Sequence, residues 1–277
     1  MKTGTGSKFI LFCIFSYLIT WIVWLTLFFL VNLHIITSHS SLFTFLIVSG
    51  VFGPPLASYI STSVIEGKDG IRRLNEIIFN FNIKRIWFII PVLIAFITLT
   101  IISNFLIPLF DSDFVPRHFI NPWYGVFPLF IMMIFGGGLE ELGWRATALP
   151  ELEKKFSPIL SSIVIWIVWA FWHLPLFFIK GINQYHKSIA VFFLGVLGIT
   201  LILTWLFNRT KSIAVCVIFH ASINTIGNMG FVVMLVDENN ICAGIVSTSI
   251  LIITGIILNV IDLRKDRNLI IVQGDKY

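Results

Sequence analysis

The stretch "FPLFIMMIFGGGLEELGWRATALP", residues 127–150, decides how the rest of the chain is read. It starts as a run apolar enough for the interior of a bilayer and ends with Glu140 and Glu141 side by side. A carboxylate at membrane depth costs several kcal/mol unless it finds partners, so two adjacent ones mark a candidate site before anything else is known.

The surrounding chain supports the membrane reading. Of its 277 residues 57% are hydrophobic and 12% charged, and the mean hydropathy is +0.94. A soluble domain of that length carries about a quarter charged residues. Three scattered cysteines, Cys13, Cys216 and Cys242, make neither a disulfide framework nor a thiolate metal site. The first apolar run, 9–36, exceeds a signal-peptide core and reads as a retained anchor.

A helix needs about 20 apolar residues to cross the hydrocarbon layer. Eight stretches qualify: 9–31, 42–64, 86–109, 124–148, 158–179, 189–207, 212–235 and 243–263. No alternating pattern suggests a barrel, so the expected fold is all-α, a single multi-pass bundle over 1–277. Sixteen of the 19 Lys and Arg residues fall on one set of flanks, leaving Arg117, Lys180 and Lys187 opposite. The positive-inside rule then puts both termini in the cytoplasm. In a prokaryote the membrane would be the plasma membrane. The segment 66–85 has helical amphipathic spacing and is expected to lie in the inner interface, while Pro54-Pro55 predicts a kink. The partners implied are the lipid bilayer and a membrane-associated substrate, with no nucleic acid; oligomeric state is not encoded in any feature of the chain.

Of fourteen acidic residues only Glu140 and Glu141 lie well inside a span, and of six histidines only His173 and His220 do. Glu141 and Arg145 are four apart with the acid on the N-terminal side, the better order for a helical ion pair. Glu140 projects about 100° away and stays free. His220 and Asn224, in "FHASINT", share a helix face. Counted at 1.5 Å per residue from the basic end of each span, Glu140 lies roughly 13 Å deep, His220 roughly 12 Å and His173 roughly 22 Å. Each residue alone has a structural reading, as interhelical glue or a buried ion pair. Their coincidence favours a shared site near the cytoplasmic face, with Gly136, Gly137, Gly138 and Gly143 allowing close helix approach.

At these residues the chain resembles the CPBP intramembrane proteases, the group of CAAX-type prenyl-protein endopeptidases and bacteriocin-processing enzymes. Its EExxxR motif stands as Glu140 to Arg145, its aromatic-xxx-His-Leu-Pro motif as "WAFWHLP", Trp169 to Pro175, and its HxxxN motif as His220 to Asn224. The likeness covers about residues 50–230, including "FGPPLASYI" and "GKDGIRRL". Two positions depart: Trp169 stands where Phe is usual, and Ala146 where Gly is usual.

The resemblance implies an intramembrane endopeptidase acting on a membrane-associated or lipid-modified peptide. Glu140 would activate water, His173 would assist and protonate the leaving amine, and His220 with Asn224 would hold the oxyanion. Glu141 and Arg145 would support them. No cofactor is required in that scheme, although Glu140, His173 and His220 also form a two-histidine, one-carboxylate set that zinc accepts. Two other readings stand beside it: a catalytically silent scaffold or immunity protein of the same fold, and a proton-coupled transporter, for which no inverted repeat is visible.

Overall fold

A computed structural model describes residues 6–110, 123–229, 235–236 and 241–274. Among these residues every regular element is helical. The order is α1 (Ser7–Asn32), α2 (Ser41–Val51), α3 (Gly53–Ile78), α4 (Ile90–Phe96), α5 (Ser103–Phe110), α6 (Val126–Phe135), α7 (Glu141–Gly143), α8 (Leu149–Glu153), α9 (Pro158–Trp172), α10 (Ile189–Thr210), α11 (Ile213–Asn228) and α12 (Ile241–Gly274).

Among the described residues seven stretches are long and apolar enough to cross a membrane: Ser7–Asn32, Ser41–Ile78, Arg85–Phe110, Val126–Glu153, Pro158–Phe178, Ile189–Thr210 and Ile241–Asp262. They match seven of the eight expected spans. The remaining one, 212–235, is represented by α11, an apolar helix of 16 residues. Its expected residues 230–234, like Lys2, Arg117, His118 and Lys276, lie outside the described residues. A helix of this length rises only about 24 Å. It needs no lipid-facing length, because α4, α6 and α10 pack around it.

The expected kink at Pro54-Pro55 is a helix restart. Phe52 separates α2 from α3, and the two prolines occupy the first turn of α3, where a missing N–H costs nothing. Further along, Gly67 has φ 62, a left-handed conformation that glycine adopts without a side-chain penalty. The chain turns there. Beyond it Leu74 and Ile78 face inward, while Arg72 and Arg73 stay exposed. Asn80 seals the end of this segment against the α10–α11 turn: its amide donates to the Lys211 carbonyl at 3.1 Å, and Ser212 Oγ donates to the Asn80 carbonyl at 2.9 Å.

A cluster of indoles fixes α9. Trp24, Trp144, Trp169 and Trp172 are all buried. Tyr17 donates to the Val168 carbonyl at 2.6 Å, and Trp21 donates to the Trp172 carbonyl at 3.0 Å, so α1 grips the last turn of α9 from the side. These bonds matter most where water is scarce, because a carbonyl left open at a helix end has nothing else to accept from. The residue they hold in place is the next one, His173.

Candidate active site

The expected continuous helix 124–148 is broken in the structure. Helix α6 ends at Phe135, Gly136 and Gly137 leave helical geometry, and a tight 3-10 turn, Gly138–Glu140, leads into α7. A wide π-type turn, Trp144–Ala148, then leads into α8. Gly137 is required here by close approach. A Cβ on it would collide with Asn224 Nδ2 and come within 3.2 Å of His220 Nε2. The break thus brings the acidic motif directly against the HxxxN face of α11.

The two glutamates have different surroundings. Glu141 and Arg145 are both 0% exposed and pair across one turn, Nη1 to Oε2 at 2.9 Å. Glu141 Oε1 also receives His220 Nδ1 at 2.8 Å. Glu140, 3% exposed, instead accepts from the Trp169 indole, Nε1 to Oε2 at 2.7 Å. Its same oxygen stands 3.9 Å from His173 Nε2. That gap is too long for a direct hydrogen bond, and a water molecule bonded to both groups fits it.

Histidine chemistry follows from the partners. His173 Nδ1 lies 2.8 Å from the Trp169 carbonyl, which can only accept, so Nδ1 carries the proton. In the neutral ring Nε2 then presents a lone pair toward Glu140. His220 is set the same way: its Nδ1–H donates to Glu141 and leaves Nε2 toward Gly137. The Asn224 carboxamide, half-buried beside it, has no side-chain partner among the described residues. Trp169 ties the two glutamates together, since its N–H holds Glu140 while its ring face carries the Arg145 guanidinium at 4.8 Å.

All six candidate residues therefore gather in one place. Four of them, Glu140, His173, His220 and Asn224, line a cavity of about 210 Å³, and Glu141 with Arg145 lies buried behind it. Trp24, Val51, Leu176, Phe192 and Val196 form its apolar wall. The depth mismatch expected for His173 closes because the acidic stretch runs on to Glu153, five residues past the expected end of its span. Glu140 Oε2 thus stands 3.9 Å from His173 Nε2.

The cavity reaches beyond the six candidate residues. It extends toward the connection after α9, where Asn183 and Gln184 line it, and toward the far end of α11 at Asn228. Both lie at the opposite end of the bundle from Lys154, Lys155 and Lys211. The basic end of the site is filled instead by Trp144, Arg145 and the buried Ser58–Thr147 hydroxyl pair. Asn183, Gln184 and Asn228 were not singled out in the sequence. The signal for Asn228 was there, since His220, Asn224 and Asn228 repeat every four residues along one face; the loop residues carried none.

The donor types suit zinc. Metal-bound imidazoles commonly donate their other N–H to a carboxylate or carbonyl, as both histidines do here. The spacing does not suit it: no three His, Cys, Asp or Glu groups among the described residues converge on one ion position.

Comparison with known proteins agrees with the motifs. Residues 121–226 match the family described as type II CAAX prenyl endopeptidase, Rce1-like. The chain is also 28% identical over 242 residues to CAAX prenyl protease 2 of Methanococcus maripaludis, an alignment covering 77% of this chain and 82% of that protein. The matched region runs from just before α6 to the last turns of α11 and holds every candidate residue. The resemblance carried by three short motifs thus extends over most of the chain, which is similar to the Rce1-like CAAX prenyl endopeptidases.

Proposed function

We propose that this protein is an intramembrane endopeptidase that cleaves a membrane-associated or lipid-modified peptide, with Glu140 as the base that activates water. The observation that carries the reading is the 3.9 Å gap between Glu140 Oε2 and His173 Nε2, inside a cavity also lined by His220 and Asn224. A water in that gap donates to the carboxylate and to the imidazole lone pair, which polarises it toward attack on a peptide carbonyl. Glu140 takes the water's proton as the new C–O bond forms; as the tetrahedral species collapses, that proton passes by way of His173 Nε2 to the leaving amine, and both groups return to their starting forms.

The oxyanion falls to the α11 side. Asn224 Nδ2 is a donor in every protonation state and so is the constant half of the pair. His220 Nε2 lies beside it and can add a second donor only when both ring nitrogens carry a proton, since Nδ1–H is committed to Glu141. Donors preset in a dry site are worth roughly 3–4 kcal/mol each to a developing oxyanion.

The relative's name, CAAX prenyl protease 2, supports a prenylated peptide as the first substrate class to test. The experiment uses the full-length protein in proteoliposomes with a farnesylated peptide ending in a CAAX motif, and mass spectrometry of the released fragment. Cleavage by wild type, reduced at least about a thousandfold in Glu140→Gln without loss of thermal stability, is the expected result for a general base. Undiminished cleavage by Glu140→Gln rules the assignment out.

A further inference from the structure

We infer that Asn183, Gln184 and Asn228 form an amide edge that binds the main chain of an extended peptide leading away from the scissile bond; this rests on the protease reading above. The edge is continuous with the site. His220, Asn224 and Asn228 sit at successive four-residue steps on one face of α11, so the line from the imidazole to the last carboxamide is about 12 Å long. The loop closes onto its far end: Asn183 Nδ2 donates to Asn228 Oδ1 at 2.8 Å, and Asn228 Nδ2 donates to the Asn224 carbonyl at 2.8 Å. This chain of bonds orients the carboxamides and leaves capacity over. Asn183 Oδ1 and the Gln184 side-chain amide have no hydrogen-bond partner among the described residues, and Gln184 lines the cavity.

The chemistry of the lining selects the occupant. One side of the cavity offers neutral donors and acceptors, the inventory that matches peptide N–H and C=O groups. The facing side, with Trp24, Phe192 and Val196, offers only apolar surface and an indole. Among the described residues no Lys or Arg lines the cavity, so the lining reads neutral main-chain groups rather than charge. An extended chain alternates its side chains about a main-chain ribbon and advances about 3.3–3.6 Å per residue, so three to four residues fit along 12 Å. The peptide's backbone lies on the amides and its apolar side chains lie on the wall. Recognition on this side is then largely independent of side-chain identity.

The test compares Asn183→Ala, Asn228→Ala and the double variant with wild type, in full-length protein and with the farnesylated CAAX peptide. Both residues are exposed, so truncation leaves the core intact. KM is expected to rise about five- to tenfold in each, as for lost neutral hydrogen bonds, with kcat within about twofold. A second substrate, with an ester replacing the amide two residues beyond the cleavage point, loses a similar factor on wild type and little on the double variant. That non-additivity is the signature of direct contact. An unchanged KM in the variants, or an ester penalty equal in all proteins, overturns the amide edge while leaving the protease reading standing. A wild type that cleaves neither peptide overturns both.

Discussion

The two ends of the helix bundle are held together by different chemistry. At the basic end, charges do the fastening. Lys8 of α1 reaches Glu66 of α3 at 2.6 Å and Glu151 of α8 at 3.6 Å, Arg73 closes on Glu66 at 2.7 Å, and Lys154 on Glu151 at 2.7 Å. At the other end, around the cavity mouth, the fastening is the Asn183–Asn228–Asn224 chain of neutral amides. Individual exposed pairs contribute about 0–1 kcal/mol, but a linked, partly buried set spanning three helices fixes their relative heights. Charges suit an end that stays shut. On the proposed function the cavity admits a peptide with apolar side chains, and its rim is better built from groups whose desolvation costs less.

The sharpest way to break this comparison is to ask which end faces the cytoplasm. Cysteines introduced one at a time at Asn183 and at Lys155, in a background with Cys13→Ser and Cys242→Ser and with Cys216 buried, are expected to label from opposite sides of sealed, oriented vesicles in an all-or-none pattern. By the positive-inside rule Lys155→Cys labels from the cytoplasmic side and Asn183→Cys from the other. Labelling of Asn183→Cys from the cytoplasm would mean that the basic flanks mislead and that the mouth opens inward.

The next effect lies between the two ends, in the wholly buried Glu141–Arg145 pair. Arg145→Met leaves Glu141 uncompensated and is expected to cost roughly 3–5 kcal/mol of stability in detergent-solubilised protein. Adding Glu141→Gln should recover most of the stability, because a neutral pair needs no counter-charge. Activity should not recover with it, since His220 Nδ1 loses the carboxylate that orients it. Recovery of both would reduce the pair to packing.

How much of this was legible in the sequence depends on how far each relation reaches. Glu141–Arg145 and His220–Asn224 were readable because each lies within one helix, where 3.6 residues per turn sets the geometry. The number of spans was nearly readable, since hydropathy is a local property; α11 differs because a helix enclosed by others need not match bilayer thickness. The level of Glu140 was not readable. It depends on a break at Gly136 and Gly137, on a π-type turn at Trp144–Ala148, and on a helix that continues past its apolar part to Glu153. Each of these departs from a uniform 1.5 Å rise for tertiary reasons. The cavity mouth was least readable, because Asn183 gains its role only by meeting Asn228, forty-five residues away in the chain.

The smallest of these effects tests a substitution that the sequence made look conservative. Trp169 stands where Phe is usual, one aromatic for another, yet its indole N–H is the direct donor to Glu140 at 2.7 Å. Phenylalanine keeps the ring beneath Arg145 and removes that donor. A hydrogen bond to a charged group is worth about 1.5–3 kcal/mol, so Trp169→Phe is expected to lower kcat by roughly ten- to a hundredfold. KM should stay unchanged, because the amide edge is untouched. The same variant leaves the Trp169 carbonyl that orients His173, so any loss reports on Glu140 alone. If kcat falls and KM holds, the carboxylate is positioned by a bond particular to this chain. If both stay at wild-type values, the break at Gly136–Gly137 is enough to aim Glu140, and the indole serves only as packing between the two glutamates.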